Sequence, residues 1–363
     1  MRQASVSKLI TKRMVRTISL LSASLIVSLL FVLSSQIVSA HYFVPSSSGA
    51  SSPYNAVVST TNEPPQASVP QIISISLTNR SSGSPINLSL LDIVHERYMH
   101  VFIIGKDLQT FAHIHPDDFS IGFQNQSTGI YQVPYTFEKS GAYAVVVDIT
   151  IFGQNLLYLI PLQVISPSKS SAQSMSSPAL SAPDYKYSLT KTFADDSNDN
   201  DTYTVTLQTP AQIPLNTETP FTYFIQRNGK NVTDLQLFLD SEIHVLAIKD
   251  DLSTAQHTHA YIPGHALHIG TMAQQYTGPT IPVHLTFTTP GTYALFGQFQ
   301  VNGTVITTQF LIKAGSAEDI AVFNISVWLE VIGNSLIVSV GVFFIARDFQ
   351  RKRLKKMSKS KKQ

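Results

Sequence analysis

Short runs of β-branched and aromatic residues follow one another along most of the chain, and turns rich in Gly, Pro and Asn separate them. This pattern predicts β-strands. Typical runs are MHVFII at 99–104 and YAVVVDITI at 143–151, and the sequence RNGK at 227–230 predicts a hairpin turn of the Asn-Gly kind. Because no amphipathic helical pattern of useful length occurs outside two long apolar runs, we predict an all-β protein.

Two segments without a regular pattern divide the β-rich region. Residues 41–68 are rich in Ser, Pro, Thr and Asn and are predicted to be a flexible linker, as is SPSKSSAQSMSSPALSAP at 166–183. They leave blocks at 69–165 and 184–314, which we predict to be two tandem immunoglobulin-like β-sandwich domains. The Cys…Trp…Cys core of true immunoglobulin domains is missing, since the chain has no cysteine and its single tryptophan is Trp328.

The two long apolar runs predict how the chain meets a membrane. A basic N-terminus precedes the run at 18–38, so residues 1–40 are predicted to be a signal peptide, cleaved after Ala40, or an uncleaved anchor. The run at 322–346 is long enough for a transmembrane helix. The tail at 347–363 has nine basic residues and one acid, which predicts a cytoplasmic tail and an extracytoplasmic body at the cell membrane.

Charge is distributed unevenly along the chain. The formal net charge is +2, but residues 18–346 hold 11 basic and 22 acidic residues. An acidic exterior attracts cations and repels nucleic acid, so nucleic acid is not an expected partner. The lipid bilayer is an expected partner because of the apolar runs. The alternative interpretation of the acidic surface is that it keeps the protein soluble. The absence of cysteine excludes disulfides, thiolate metal sites and cysteine nucleophiles.

The chain contains an internal duplication. The segment MHVFIIGKDLQTFAHIHP at 99–116 aligns with IHVLAIKDDLSTAQHTHA at 243–260 at an offset of 144 residues, and three histidines coincide. Further on, YTFEKSGAYAVVVDITIFGQ at 135–154 aligns with LTFTTPGTYALFGQFQVNGT at 285–304 at an offset of 150. Two separated motifs in the same order indicate that one structural unit occurs twice.

The histidines of the repeated motif are candidate metal ligands. If GKDL is the turn of a hairpin in which residue i lies opposite residue 213 − i, His100 lies opposite His113. His115 shares their face, because alternate residues of a strand point the same way. Three imidazoles within reach of one ion, at about 2.0–2.1 Å, predict a metal site. The corresponding residues of the second copy are His244, His257 and His259.

The second copy offers more potential ligands, since His265 and His268 lie in its inserted loop and His284 lies on a later predicted strand. In the first copy, Asp117 and Asp118 could supply oxygen atoms. Imidazole ligands without cysteine or a methionine cluster favour Cu(II) or Zn(II), so a copper or zinc ion is the predicted cofactor. The ligand is neutral imidazole, so binding should weaken as the pH falls through about 6.5.

Three alternatives remain at this point. The histidines could serve only as hydrogen-bonding groups, which would make the protein a metal-free structural or interaction module for a membrane-protein partner. An open three-histidine zinc site could activate water for hydrolysis, although no GxSxG, HExxH or P-loop motif occurs and we do not expect an enzyme. Cleavage after Ala40 would also expose His41 as an N-terminal residue able to chelate copper.

The second block resembles the YtkA-like domains of secreted and membrane-anchored prokaryotic proteins. The resemblance is strongest over 229–312, through the motif around EIHVLAIKDDLSTAQHTHA and the segment PVHLTFTTPGTYALFGQFQVNGTVITTQFLI. It implies an immunoglobulin-like β-sandwich outside the cytoplasm, in a family often associated with metal or copper handling. It also implies that the three histidines of each repeat occupy the histidine positions of the family. Pro116 keeps the proline that follows the family motif, whereas Ala260 departs from it.

Overall fold

A computed structural model describes the part of the chain that the strand pattern covers. The described ranges are 52–167, 190–195, 201–261, 274–316, 318–319 and 325–326. The run at 18–38, most of the run at 322–346 and most of the predicted linker at 166–183 lie outside them. None of the helical residues described belongs to a helix of the length and apolarity that a membrane span requires. Residues 44–317 form one compact unit.

The first block forms a β-sandwich of two antiparallel sheets. Its seven strands are β1 (Tyr54–Thr60), β2 (Pro70–Asn79), β3 (Met99–Gly105), β4 (Phe111–Ile114), β5 (Ile130–Thr136), β6 (Gly141–Ile151) and β7 (Gln154–Val164). One sheet has the order β1-β2-β5 and the other the order β4-β3-β6-β7. Strand β1 lies inside the segment 41–68, so the prediction of a flexible linker is wrong there. Strand β1 pairs with β2 over its whole length and forms the edge of the sheet.

The second block repeats this arrangement with additional strands. The strands are β8 (Thr190–Asp195), β9 (Asp201–Gln208), β10 (Thr219–Arg227), β11 (Lys230–Asn231), β12 (Leu235–Gln236), β13 (His244–Lys249), β14 (Ala255–His259), β15 (Thr280–Leu285), β16 (Gly291–Val301) and β17 (Thr304–Ala314). In one sheet β10 pairs with β9, β11 and β15, and β8 extends the sheet beyond β9. In the other sheet β13 lies between β14 and β16, and β16 also pairs with β12 and β17. The prediction of an all-β fold is confirmed.

Side chains along β3 and β13 alternate between the core of their own sandwich and the interface, which explains how the two sandwiches pack together. Val101 and Ile103 belong to the core inside the first sandwich. The residues between them, Phe102 and Ile104, point the other way and pack against Leu246 and other apolar residues of the second sandwich. A strand buried on both faces has apolar residues at consecutive positions, which is the pattern of MHVFII. The four-stranded sheet of the first sandwich thus packs its outer face on the equivalent sheet of the second.

The register of the histidine hairpin differs from the expected one. Phe102, not His100, lies opposite His113 in the β3–β4 pair. The turn is longer than GKDL, because the N–H of Gly105 donates to Thr110 O at 3.0 Å and Leu108 adopts a left-handed φ of 55°. The shift changes each pairing by two residues, and the period of a strand is two, so His100 and His113 still share one face. The predicted pairing is wrong, while the predicted face agrees with the structure.

Candidate metal centre

The histidines of both repeats lie where the two sandwiches meet. His100 and His244 occupy equivalent positions in β3 and β13, and their side chains are 3% and 1% exposed. We call His100, His113 and His115 the first cluster, and His95, His244, His257 and His259 the second cluster. The ring centroids of His100 and His257, one from each cluster, are 5.2 Å apart. The two clusters therefore lie side by side in one buried region.

Ring nitrogens converge in the first cluster. The Nδ1 atom of His100 lies 3.1 Å from Nε2 of His113, and Nε2 of His115 lies 3.0 Å from the same atom. Two nitrogens bound to one tetrahedral zinc or copper ion at about 2.0–2.1 Å are separated by about 3.3 Å. The observed spacing is close to that value, so small side-chain adjustments would suffice to hold an ion.

Oxygen acceptors on the far side of each ring determine which nitrogen carries the proton. His100 donates from Nε2 to Val94 O at 3.1 Å, and His115 donates from Nδ1 to a carboxylate oxygen of Asp118 at 2.8 Å. His113 donates from Nδ1 to Oε1 of Gln298 at 2.8 Å. A neutral imidazole has one N–H, so the three converging nitrogens carry lone pairs. Lone pairs facing one another at 3.0–3.1 Å repel unless a cation lies between them.

The second cluster repeats the orientation of the first and adds a histidine. His244 donates from Nε2 to Phe238 O at 2.9 Å, which is the counterpart, at an offset of 144, of the bond from His100 to Val94. Its Nδ1 lies 3.4 Å from Nε2 of His257. Ligand atoms of His95, His244 and His259 all lie within 4.8 Å of one another. His95 belongs to the first sandwich, so this cluster takes its side chains from both sandwiches.

Two polar residues connect the clusters across the interface. His257 of the second sandwich donates from Nδ1 to a carboxylate oxygen of Asp148 in β6 at 2.6 Å. His113 of the first sandwich makes the corresponding bond to Gln298 in β16. Asp148 and Gln298 are equivalent positions of the repeat, at the offset of 150. Each sandwich therefore orients one histidine of the other, through an approximate twofold relation between the repeats.

Burial keeps most of these histidines neutral. It lowers the pKa of His115 to about 4, although the neighbouring Asp118 carboxylate opposes that shift. Burial also lowers the pKa of His100, His113, His244 and His259 well below the ordinary value, and repulsion between neighbouring histidines adds to the effect. Neutral imidazole is the form that binds a metal. Near pH 7 these five histidines thus present unprotonated ring nitrogens.

The described residues among the other predicted ligands do not join the clusters. His265 and His268 are outside the described residues. His284 stacks on Tyr261 with ring centroids 3.6 Å apart and hydrogen-bonds to Glu218 at 2.9 Å, away from the clusters. Asp118 orients His115 and pairs with Arg97 at 3.0 Å, which is a supporting role and not the expected role of an oxygen ligand.

Sequence reasoning missed His95, Asp148 and Gln298. The candidate ligands are histidines that occur in both repeats. The counterpart of His95 at the offset of 144 is Leu239, so the duplication does not point to His95. Asp148 and Gln298 carry a detectable signal. Each is a polar residue inside an apolar strand, and both are buried, with exposures of 5% and 9%. Such residues require a hydrogen-bonding partner.

A cleft adjoins the first cluster. It has a volume of about 450 Å³ and lies between the β4 edge of the first sandwich and strands β16 and β17 of the second. His113 and Gln298 line it, together with Phe111 and Phe296. The first cluster is therefore next to a cavity large enough for water or a small ligand.

Comparison with solved structures gives matches of low similarity. The chain aligns with the adhesin InvE of Yersinia pseudotuberculosis at 11% identity and a TM-score of 0.19, covering 72% of this chain and 59% of that one. It aligns with a Salmonella alpha-2-macroglobulin reacted with methylamine at 10% identity and a TM-score of 0.20, covering 75% and 15%. The chain spans less than two thirds of the length of both proteins.

Sequence comparison identifies one related family. Curated proteins give no match to the chain. Residues 197–316, less than half of the chain, match a family described as a domain of unknown function (DUF8832). The matched segment begins before β9 and ends after β17, and it includes His244, His257 and His259. Over the second sandwich, the chain is thus similar to a family whose function is not defined.

Proposed function

We propose that the protein is a membrane-anchored, extracytoplasmic metal-binding protein, which holds copper or zinc between its two sandwiches for binding, delivery or sensing. The observation that carries the proposal is the first cluster. Its three converging ring nitrogens each belong to a buried or half-buried histidine whose other nitrogen donates to an oxygen acceptor. Metal-binding histidines characteristically have such a second partner, because it fixes the tautomer and the ring orientation.

The proposal accounts for features that a metal-free interaction module leaves unexplained. A purely structural histidine cluster would be expected to pair N–H groups with lone pairs, since unsatisfied buried polar atoms cost free energy. In the first cluster the N–H groups point outward to Val94, Gln298 and Asp118, and the lone pairs point inward. The resemblance to YtkA-like domains and the acidic exterior support the same function, and the apolar runs and basic tail support the location.

Titration of the purified full chain with Zn(II) and Cu(II) tests the proposal. His115→Gln removes one ligand from the first cluster and keeps a polar side chain beside Asp118. Loss of a supporting partner costs about 10–100-fold in metal affinity. We expect the loss of a ligand to lower the metal affinity of the first cluster by more than that. His284→Gln is the matched control, because His284 is bonded to an exposed glutamate outside both clusters.

The expected result is tight binding that is lost in His115→Gln and kept in His284→Gln. Binding of millimolar strength or weaker in the unaltered chain, or equal affinities in the two variants, would contradict a metal site at the first cluster and favour the metal-free module.

A further inference from the structure

The two clusters differ at one position of the repeat. His95 and Leu239 are equivalent, and both adopt a left-handed backbone conformation, with φ of 51° in each case. The next residues, Glu96 and Asp240, share that conformation with φ of 61° and 55°. The duplicated turn has therefore kept its backbone path, and the side chain at its first position is an imidazole in one copy and an apolar group in the other.

The imidazole of His95 is directed into the cluster of the opposite sandwich. Its ring centroid lies 3.6 Å from that of His259 and 5.2 Å from that of His244. Its Nδ1 lies 3.3 Å from Asp240 O, an atom of the second sandwich that can only accept a hydrogen bond, so Nδ1 carries the proton and Nε2 the lone pair. His95 thus has the same kind of orienting partner as the histidines of the first cluster.

The second cluster consequently has enough imidazoles for a complete coordination sphere. Ligand atoms of His95, His244 and His259 lie within 4.8 Å of one another, and His257 places its Nε2 3.4 Å from Nδ1 of His244. Four protein ligands are typical of structural zinc sites, whereas three ligands leave a position for an exchangeable group. The first cluster has three histidines and adjoins a cleft of about 450 Å³.

We propose that the two clusters form unequal metal sites. In the second cluster, His95 completes a four-histidine site that holds a zinc or copper ion in slow exchange and connects the two sandwiches. In the first cluster, three histidines hold an ion whose fourth position is left for water or another small donor. This inference rests on the proposed function, and it assigns the structural and the exchangeable role to different repeats.

Metal release from the zinc-loaded full chain tests the inference. With a chromogenic chelator in excess, we expect two zinc ions per chain, one released rapidly and one released at least about tenfold more slowly. The variant His95→Leu copies the residue that the repeat has at the equivalent position. It should convert the slow ion into a fast one and leave the first ion unchanged. Glu96→Gln, in the same turn, is the matched control and should keep both phases.

A second variant and a spectroscopic measurement separate loss of a ligand from loss of folding. His95→Gln keeps a polar side chain that can bond to Asp240 O, and it too should lose slow release while its circular dichroism matches that of the unaltered chain. In Co(II)-loaded protein, the absorption of the slowly exchanging ion should change in both His95 variants.

The outcomes distinguish this inference from the proposed function. Two bound ions whose release is the same in His95→Leu and the unaltered chain would overturn the role of His95 and leave metal binding intact. A single bound ion, lost in His115→Gln, would overturn the second site alone. Absence of any bound ion would overturn both proposals.

Discussion

The oxygen atom on the far side of each imidazole is as important to the candidate sites as the imidazole itself. Asp148 is the most informative of these partners, because one carboxylate oxygen accepts from His257 at 2.6 Å and the other accepts from Asn155 at 2.7 Å. The carboxylate is 5% exposed and belongs to the other sandwich from His257. Its charge would stabilise a cation bound through that histidine.

Replacing Asp148 by Asn should weaken metal binding at the second cluster. The amide has one oxygen, so it can accept from His257 or from Asn155 but not from both, and it carries no charge. We expect the affinity of the second cluster for zinc to fall about 10–100-fold, with the first cluster unchanged. Competition titration of the full chain with a chelator of known affinity measures both constants.

Asp234→Asn is the control for this substitution, since Asp234 is an exposed carboxylate that pairs with Arg227 at 2.9 Å. It should leave both affinities as they are. Equal affinities in Asp148→Asn and the unaltered chain would show that the carboxylate does not support a bound ion.

The β3–β4 hairpin shows which local features the sequence determines. Side chains alternate between the two faces of a strand, so His113 and His115 lie on one face. The predicted face is correct although the predicted register is not, because the two registers differ by an even number of residues. The register itself depends on the turn. Asp107 accepts the N–H groups of Gln109 and Thr110 at 2.9 and 3.1 Å, and this pattern extends the turn to six residues. A two-residue turn and this longer turn are both compatible with the letters GKDL.

The segment after β4 holds His115 in place by close backbone packing. A Cβ atom on Gly122 would lie 1.8 Å from Pro116 O, and neither atom belongs to a flexible side chain. Pro116 follows His115 directly, and the N–H of Asp118 donates to His115 O at 3.1 Å. The position of the His115 ring therefore depends on a residue seven positions further along the chain.

The substitution Gly122→Ala should disturb this segment and the first cluster together. We expect a loss of about 1–3 kcal/mol in the free energy of unfolding, as for other overpacked sites, and weaker zinc binding at the first cluster. Gly83→Ala is the control, because Gly83 has a left-handed φ of 70° but no atom within 4 Å of the added carbon. It should cost about 1–2 kcal/mol without changing zinc affinity. Urea unfolding and zinc titration measure the two effects, and unchanged zinc binding in Gly122→Ala would contradict the coupling.

The sequence predicts two sandwiches but not the way they associate. Strand periodicity and the duplication can be read from the sequence, because each depends on local pattern, whereas the predicted start of the first block at residue 69 leaves out strand β1. The interface depends on which outer faces meet. One sequence signal of the interface is the run of consecutive apolar residues in β3 and β13, which a strand covered on one side alone would not need. His95 could not be found from the repeat, since its function arises only when the second sandwich is present.

Contacts across the interface are extensive enough to make the two sandwiches interdependent. Phe111 stacks on Phe296 with ring centroids 4.4 Å apart and an interplanar angle of 9°. Lys106 donates to Asp250 O, and Gln309 donates to Leu108 O. A stacked aromatic pair contributes about 0.5–1.5 kcal/mol beyond its buried area. Separation of the sandwiches would remove His95 from the second cluster and Gln298 from the first, so either sandwich alone is a poor substitute for the whole chain in binding experiments.

The metal-free chain should lose stability steeply as the pH falls below about 6.5. Five histidines of the clusters have a lowered pKa in the folded state, and that of His115 is about 4. Between about 6.5 and 4 the unfolded chain therefore takes up protons on these side chains that the folded chain does not bind. Each such histidine lowers the free energy of unfolding by up to about 1.4 kcal/mol per pH unit. Above about pH 6.5 both states are neutral, and the dependence should vanish.

Urea unfolding of the chelator-treated full chain at pH 7.5, 6.5, 5.5 and 4.5 measures this dependence. His115→Gln removes one titrating group, so its slope between pH 6.5 and 4.5 should be smaller than that of the unaltered chain by about 1.4 kcal/mol per pH unit. Gly83→Ala, which removes no titrating side chain, should keep the full slope. A free energy of unfolding that stays constant between pH 6.5 and 4.5 would mean that the histidines are not held neutral at the interface. Acid destabilises the fold because these imidazoles stay neutral in the folded chain and become protonated in the unfolded chain.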